Sequence, residues 1–253
     1  MTFSIAIAGK GGSGKTSTAS LIIRYLKRKG LFPILAVDAD GNANLGESLG
    51  LNTEKTIGSI IAAFNDDKMS IPGGLTKGAY LELKLNEAIV ESAGLDLISM
   101  GRGEGTGCYC YPNTVLKKFI DELKNNYAYM VLDNEAGMEH LSRRTTENID
   151  ELLIVSDHSV KGVRTAARII QLVEELKLFV NRQSVIINRV PEAMDSHVVK
   201  ELELFKIEPI STIPLDEAVL EYDLKKKPLL ELPDTSKATK AVRDFMDIIL
   251  NKK

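Results

Sequence analysis

The chain has 253 residues, 44% of them hydrophobic and 26% charged, which describes a folded chain with a sizeable core and not a disordered one. A net charge of −3 gives no basic face for nucleic acid, and the longest uncharged stretch, residues 105–116, is too short and too polar to span a membrane. Two cysteines, Cys108 and Cys110, exclude a disulfide-rich scaffold and a complete four-thiolate metal site within one chain. The N-terminus carries no basic and apolar regions of signal type, so the expected location is the cytoplasm.

In chain order, residues 3–8 (FSIAIA) form an apolar run that predicts a buried strand, followed by a Gly-rich loop. Residues 16–29 place Ala19, Ile22, Ile23 and Leu26 at helical spacing, with Gly30 as a stop. Residues 33–37 predict a second strand, 53–65 a helix, and 66–78, with Pro72, Gly73, Gly74 and Gly78, a loop. Strands are predicted at 95–100, 129–133, 152–156, 184–188 and, more weakly, 209–213. Helices are predicted at 113–125, 160–178, 196–205 and 236–250. This alternation implies a single α/β domain over residues 1–253, with a mostly parallel sheet of about seven strands covered by helices on both faces.

Gly9-Lys10-Gly11-Gly12-Ser13-Gly14-Lys15-Thr16 matches G-x-x-x-x-G-K-[ST] in full, between a strand and a helix. Glycines let successive amides curl around a phosphate, and the helix N-terminus adds partial positive charge. Lys15 is expected to reach the β- and γ-phosphates and the Thr16 hydroxyl to ligate Mg²⁺; Ser17 completes the expected cradle. Lys10 is a second lysine that an ordinary loop of this type does not need. The GKGGSGKT form resembles the deviant P-loop of the family containing MinD, ParA, the arsenite-pump ATPase and the nitrogenase iron protein. That resemblance implies that Lys10 reaches the partner subunit's nucleotide across a homodimer interface.

Two aspartates, Asp38 and Asp40, end the second strand, where a parallel sheet borders its ligand crevice. They suit either the holding of Mg²⁺ and its water or a helix-capping turn. The resemblance implies that Asp40 is the water-activating aspartate and Asp38 a supporting one. Asp133, ending the fourth strand, with Gly137 four residues on, is similar to the family's Walker B aspartate and second switch. This implies an Asp133–Mg²⁺ link and a Gly137 amide near the γ-phosphate. Asn188-Arg189 resembles the family's adenine contact, and without an N-K-x-D guanine signature ATP is expected over GTP.

Cys108 and Cys110 stand one residue apart in a Gly-rich segment, where a disulfide is strained. Two soft thiolates suit Zn, Ni, Cu(I) or an iron–sulfur cluster, yet two ligands do not complete such a site. A two-fold dimer supplies four. The stretch M-G-R-x-E-G-x-G-C-Y-C-Y-x-N, with D-N-E-A-G-M-E-H-L-S-R-R-T from Asp133, resembles the CooC-type nickel-insertion ATPases and their AcsF branch. It covers most of the chain, from Ser4 to Asn188, and departs at Gly103, where proline is expected, and at Ser13, where many relatives carry valine. The resemblance implies an ATP-hydrolysing metallochaperone that binds Ni²⁺ (or Zn²⁺) through Cys108 and Cys110 of two subunits. Its clients would be carbon monoxide dehydrogenase or acetyl-CoA synthase, with neither nucleic acid nor membrane as partner. A MinD- or ParA-like positioning ATPase, anchored through the tail at 236–253, and an iron–sulfur carrier are the competing expectations.

Overall fold

The computed structural model describes residues 2–66, 71–101, 110–134 and 148–251. Its centre is an eight-stranded sheet in the order β3-β4-β2-β5-β1-β6-β7-β8. The strands are β1 (Phe3–Gly9), β2 (Ile34–Ala39), β3 (Val90–Ser92), β4 (Leu95–Ser99), β5 (Tyr129–Asn134), β6 (Ile149–Asp157), β7 (Val180–Val190) and β8 (Ser211–Pro214). All neighbours are parallel except β3 and β4. The helices among the described residues are α1 (Lys15–Arg28), α2 (Asn44–Leu49), α3 (Ile57–Asp66), α4 (Lys77–Asn86), α5 (Cys110–Leu123), α6 (Val160–Glu175), α7 (Ser196–Leu204), α8 (Glu217–Leu224) and α9 (Lys237–Asn251).

Every residue of β1 is buried, as a strand covered on both faces must be. Its side chains alternate: Ile5 and Ile7 join a core with α1 and α9, while Ala6 and Ala8 join the opposite core with α6. The small alanines let that second layer approach the sheet closely. In α9, Val242, Phe245, Met246 and Ile249 are all buried beside α1 residues such as Ile22 and Leu26. Each such side chain is worth about 1.5–3 kcal/mol when taken out of water. The apolar stripe that suggested a membrane anchor therefore lies inside the molecule. No helix among the described residues is long and apolar enough to cross a membrane.

The expected alternation of strands and helices is present, with eight strands instead of seven. The extra strand, β3, is three residues long and turns back onto β4 through Gly94 at φ +72°. A strand that short shows no alternation to read. The helix α2 is only six residues long, α4 opens within the expected loop at the Thr76 N-cap, and α8 shows little amphipathicity. Two strands start earlier than expected because charge interrupts their apolar runs. In β6, Asp150 bonds to Ser4 and Glu151 pairs with Arg182; in β7, Asn181 and Arg182 precede the apolar stretch.

Candidate phosphate-binding site

The strand order sets the site. The first strand lies between β5 and β6, so the loop leaving its carboxyl end rises between the ends of both. Gly9 faces Val155 across the β1–β6 ladder, and a Cβ there would run into the Val155 carbonyl oxygen. Gly14 has φ +92°, and a Cβ would run into the amide nitrogen of Asn188. Gly12, at φ +78°, has open space before it, the room a phosphate cradle needs.

The loop is held from outside. Asn188 Nδ2 donates to the Ser13 carbonyl at 2.9 Å, and its Oδ1 accepts the Arg189 amide at 2.8 Å. Arg189 donates from Nη1 to the Gly12 carbonyl at 3.0 Å. The amide of Asn188, read in the sequence as an adenine contact, is thus engaged with the loop backbone. Both residues also line a cavity of about 110 Å³, with Ser17 and Thr18 of α1, Pro214 at the end of β8 and Asp216 beyond it. The Pro214–Asp216 side of this cavity is what the sequence reading missed. Its available signal was a proline ending a strand, followed by an aspartate that caps a helix. Asp216 accepts the Ser236 hydroxyl and the amides of Ala218 and Ala238, fixing that wall against the start of α9.

Lys15 is 7% exposed and its ammonium donates to the Lys10 carbonyl at 3.3 Å. Asp38 and Asp133 lie directly opposite each other on β2 and β5, 0% and 1% exposed. Asp38 accepts the amides of Leu45 at 2.8 Å and Asp40 at 3.1 Å, which locks the chain leaving β2. Burial pushes its pKa up to about 6, against the pull of those two amides, and the Asp40 charge adds to the rise. Burial likewise pushes Asp133 up to about 7; Thr16 and Lys15 pull it down, and Asp38 opposes them. Neither Asp133 oxygen accepts a hydrogen bond of normal geometry, nor does the fully buried Ser13 hydroxyl have a partner. Two facing buried carboxylates, of which Asp133 has unsatisfied oxygens next to Thr16, suit a hard divalent cation, which would replace the missing hydration. Asp40 is half-buried and accepts the Asn42 amide at 2.8 Å, so it also serves as a turn former.

Cys108 and Gly137 lie outside the described residues, and of Cys110 the structure describes the backbone position opening α5. Among the described residues no group of three or more His, Cys, Asp or Glu is gathered to hold a metal ion. The start of the cysteine segment is nevertheless fixed. The Met100 amide donates to the Asp38 carbonyl at 2.7 Å, and the Met100 carbonyl accepts Gly58 of α3 at 2.8 Å. Gly101, at φ +62°, leaves no room for a Cβ beside Thr56. The segment thus departs from β4, beside Asp38. The strand β2 stands between it and the β5 end expected to carry the second switch.

Residues 4–229 match the family model described as CobQ/CobB/MinD/ParA nucleotide binding domain. The chain belongs to this family. It is an α/β P-loop ATPase of the MinD/ParA type, with the parallel sheet and phosphate loop described above. It is 42% identical to an uncharacterized ATP-binding protein of Methanocaldococcus jannaschii, over 98% of this chain and 99% of that protein. It is 27% identical to the carbon monoxide dehydrogenase accessory protein CooC of Rhodospirillum rubrum, over 87% and 86%. Among solved structures, the MinC:MinD cell division protein complex of Aquifex aeolicus is similar at TM-score 0.72 and 25% identity, over 100% of this chain and 97% of that chain.

Proposed function

We propose that this ATPase is a nickel metallochaperone that couples ATP-dependent dimerisation to a thiolate site shared between two subunits. The supporting observation is the Met100 amide on the Asp38 carbonyl: the strand that feeds the cysteine segment is tied to the strand that carries the buried aspartate of the nucleotide site. A change at Asp38 and the turn after it then has a short covalent and hydrogen-bonded path to Cys108 and Cys110. The similarity to CooC supports nickel as the cargo and carbon monoxide dehydrogenase as a client.

In this reading, the amides of residues 9–16 cradle the triphosphate, and Lys15 leaves the Lys10 carbonyl for the β- and γ-phosphates. Thr16, Asp133 and Asp38 would hold Mg²⁺, which supplies charge neutralisation at the phosphates. Asp40 orients the attacking water and takes its proton. The water oxygen bonds to the γ-phosphorus as the bond to the β–γ bridging oxygen breaks, giving ADP and phosphate. Lys10 reaches the nucleotide of the partner subunit, and the Gly137 amide senses the γ-phosphate. Asn188 and Arg189 hold the phosphate loop and border the base pocket. Four thiolates from two chains complete one metal site on the two-fold axis.

The test is nickel transfer to apo-carbon monoxide dehydrogenase and apo-acetyl-CoA synthase, side by side, with ATP. Wild type is expected to activate one of them, and Cys108→Ala neither. Transfer undiminished in Cys108→Ala would reject the thiolate site. The similarity to MinD favours a positioning ATPase as the second reading. ATP-dependent sedimentation with liposomes, without nickel binding, would establish that reading instead.

A further inference from the structure

Lys10 is engaged within its own chain. Its ammonium lies 3.3 Å from Oδ2 of Asp157 in the same chain, with the two side chains 41% and 25% exposed. Asp157 ends β6, on the opposite side of the phosphate loop from Asp133. Its other oxygen, Oδ1, accepts the Ser159 hydroxyl at 2.5 Å, and Ser159 Oγ in turn accepts the Gly162 amide as the N-cap of α6. A Cβ at Gly162 would run into Asp157 Oδ1, so the absence of a side chain there is what admits the carboxylate. Asp157 is therefore a fixed anion at the mouth of the loop, and Lys10 is the movable member of the pair.

We propose that Asp157 is a positioning residue for the ATPase: it holds Lys10 on its own subunit until a nucleotide-bearing partner offers a stronger anion. This rests on the reading that Lys10 serves the partner's nucleotide. A triphosphate carries several negative charges against one on Asp157, so the exchange runs toward the nucleotide. A partly exposed ion pair is weak, which suits a contact that must be released in each cycle. Without Asp157, Lys10 is free to bridge earlier.

The experiment measures, by light scattering, the concentration of a non-hydrolysable ATP analogue with Mg²⁺ that gives half-maximal association. D157N is expected to lower that midpoint by about two- to five-fold, the range of one exposed ion pair. The difference from wild type is expected to shrink at high ionic strength and to vanish in a Lys10→Ala background. Loss of fold in D157N moves the test to D157S, which removes the charge and keeps an acceptor for Ser159. A merely structural Asp157 would lower the melting temperature and leave the midpoint in place, as Ser159→Ala is expected to do. An unshifted or raised midpoint, or a shift that persists without Lys10, overturns the proposal. In that case, loss of association in Lys10→Ala keeps the interface reading intact. Association that survives in Lys10→Ala overturns that reading, and the proposal with it.

Discussion

Two aspartates flank β1, one on each neighbouring strand, and they are treated in opposite ways. Asp150, toward the amino end of β6, accepts the Ser4 amide and hydroxyl at 2.8 Å each and Asn181 Nδ2 at 3.1 Å. Asp133, at the carboxyl end of β5, is more deeply buried, and its oxygens accept no hydrogen bond of normal geometry. A carboxylate whose lone pairs are filled by its own chain contributes to stability. One buried with empty lone pairs costs stability and keeps its affinity for something else. The two ends of one sheet thus divide the work: the amino end fastens β1, β6 and β7, and at the carboxyl end the Asp133 carboxylate is kept unsatisfied beside the phosphate loop. The same division explains why Ser4 is fully partnered and Ser13 is not.

Substitutions at the two ends should separate stability from activity. The largest effect is expected from Lys15→Ala, which removes the cation nearest the phosphates: hydrolysis should fall by about 10²–10³-fold or more. Near-normal turnover in that variant would place the chemistry elsewhere. Asp133→Asn comes next, with Mg²⁺-dependent hydrolysis down by about 10²-fold in a turnover assay. The same variant should melt at a higher temperature than wild type at pH 8, without nucleotide or metal. The sign follows from the raised pKa. Between the ordinary carboxylate value of 3.8 and about 7, the folded chain binds a proton that the unfolded chain releases, so wild type loses stability as pH rises through that window. Asparagine does not titrate, and the variant's advantage should fade toward pH 4. A variant that melts lower than wild type at pH 8 would show that Asp133 is satisfied after all. The smallest effect belongs to the amino end. Asp150→Ala should cost about 1–3 kcal/mol in denaturant unfolding and leave the ATP midpoint where it was.

The carboxyl end was also the more legible one. The glycines, both loop lysines, Asp38, Asp40 and Asp133 stand out in the sequence because phosphate chemistry demands particular residue types at fixed spacing. The parallel sheet was legible because β1, β2 and β5 open on apolar runs and β6 carries one at residues 152–155. The amino end was not. Asp150, Glu151 and Arg182 read as loop residues, and only their cross-strand partners make them strand positions. The pocket wall at Pro214–Asp216 was hidden for a related reason: it is assembled from α1, β7, β8 and α8, segments far apart in the chain. Asp157 was hidden too, since a single acid before a helix signals a cap and nothing more until Lys10 lies beside it.

The proposed link between two half-sites, a lysine that would serve a partner's nucleotide and a thiolate pair that would join a partner's thiolates, is tested most directly by stoichiometry. Wild type loaded with a non-hydrolysable ATP analogue, Mg²⁺ and Ni²⁺ should be weighed by native mass spectrometry. The expected particle holds two chains, two nucleotides and one nickel ion, and Lys10→Ala remains a single chain. A nickel-loaded single chain, or a dimer that forms unchanged in Lys10→Ala, would contradict the account.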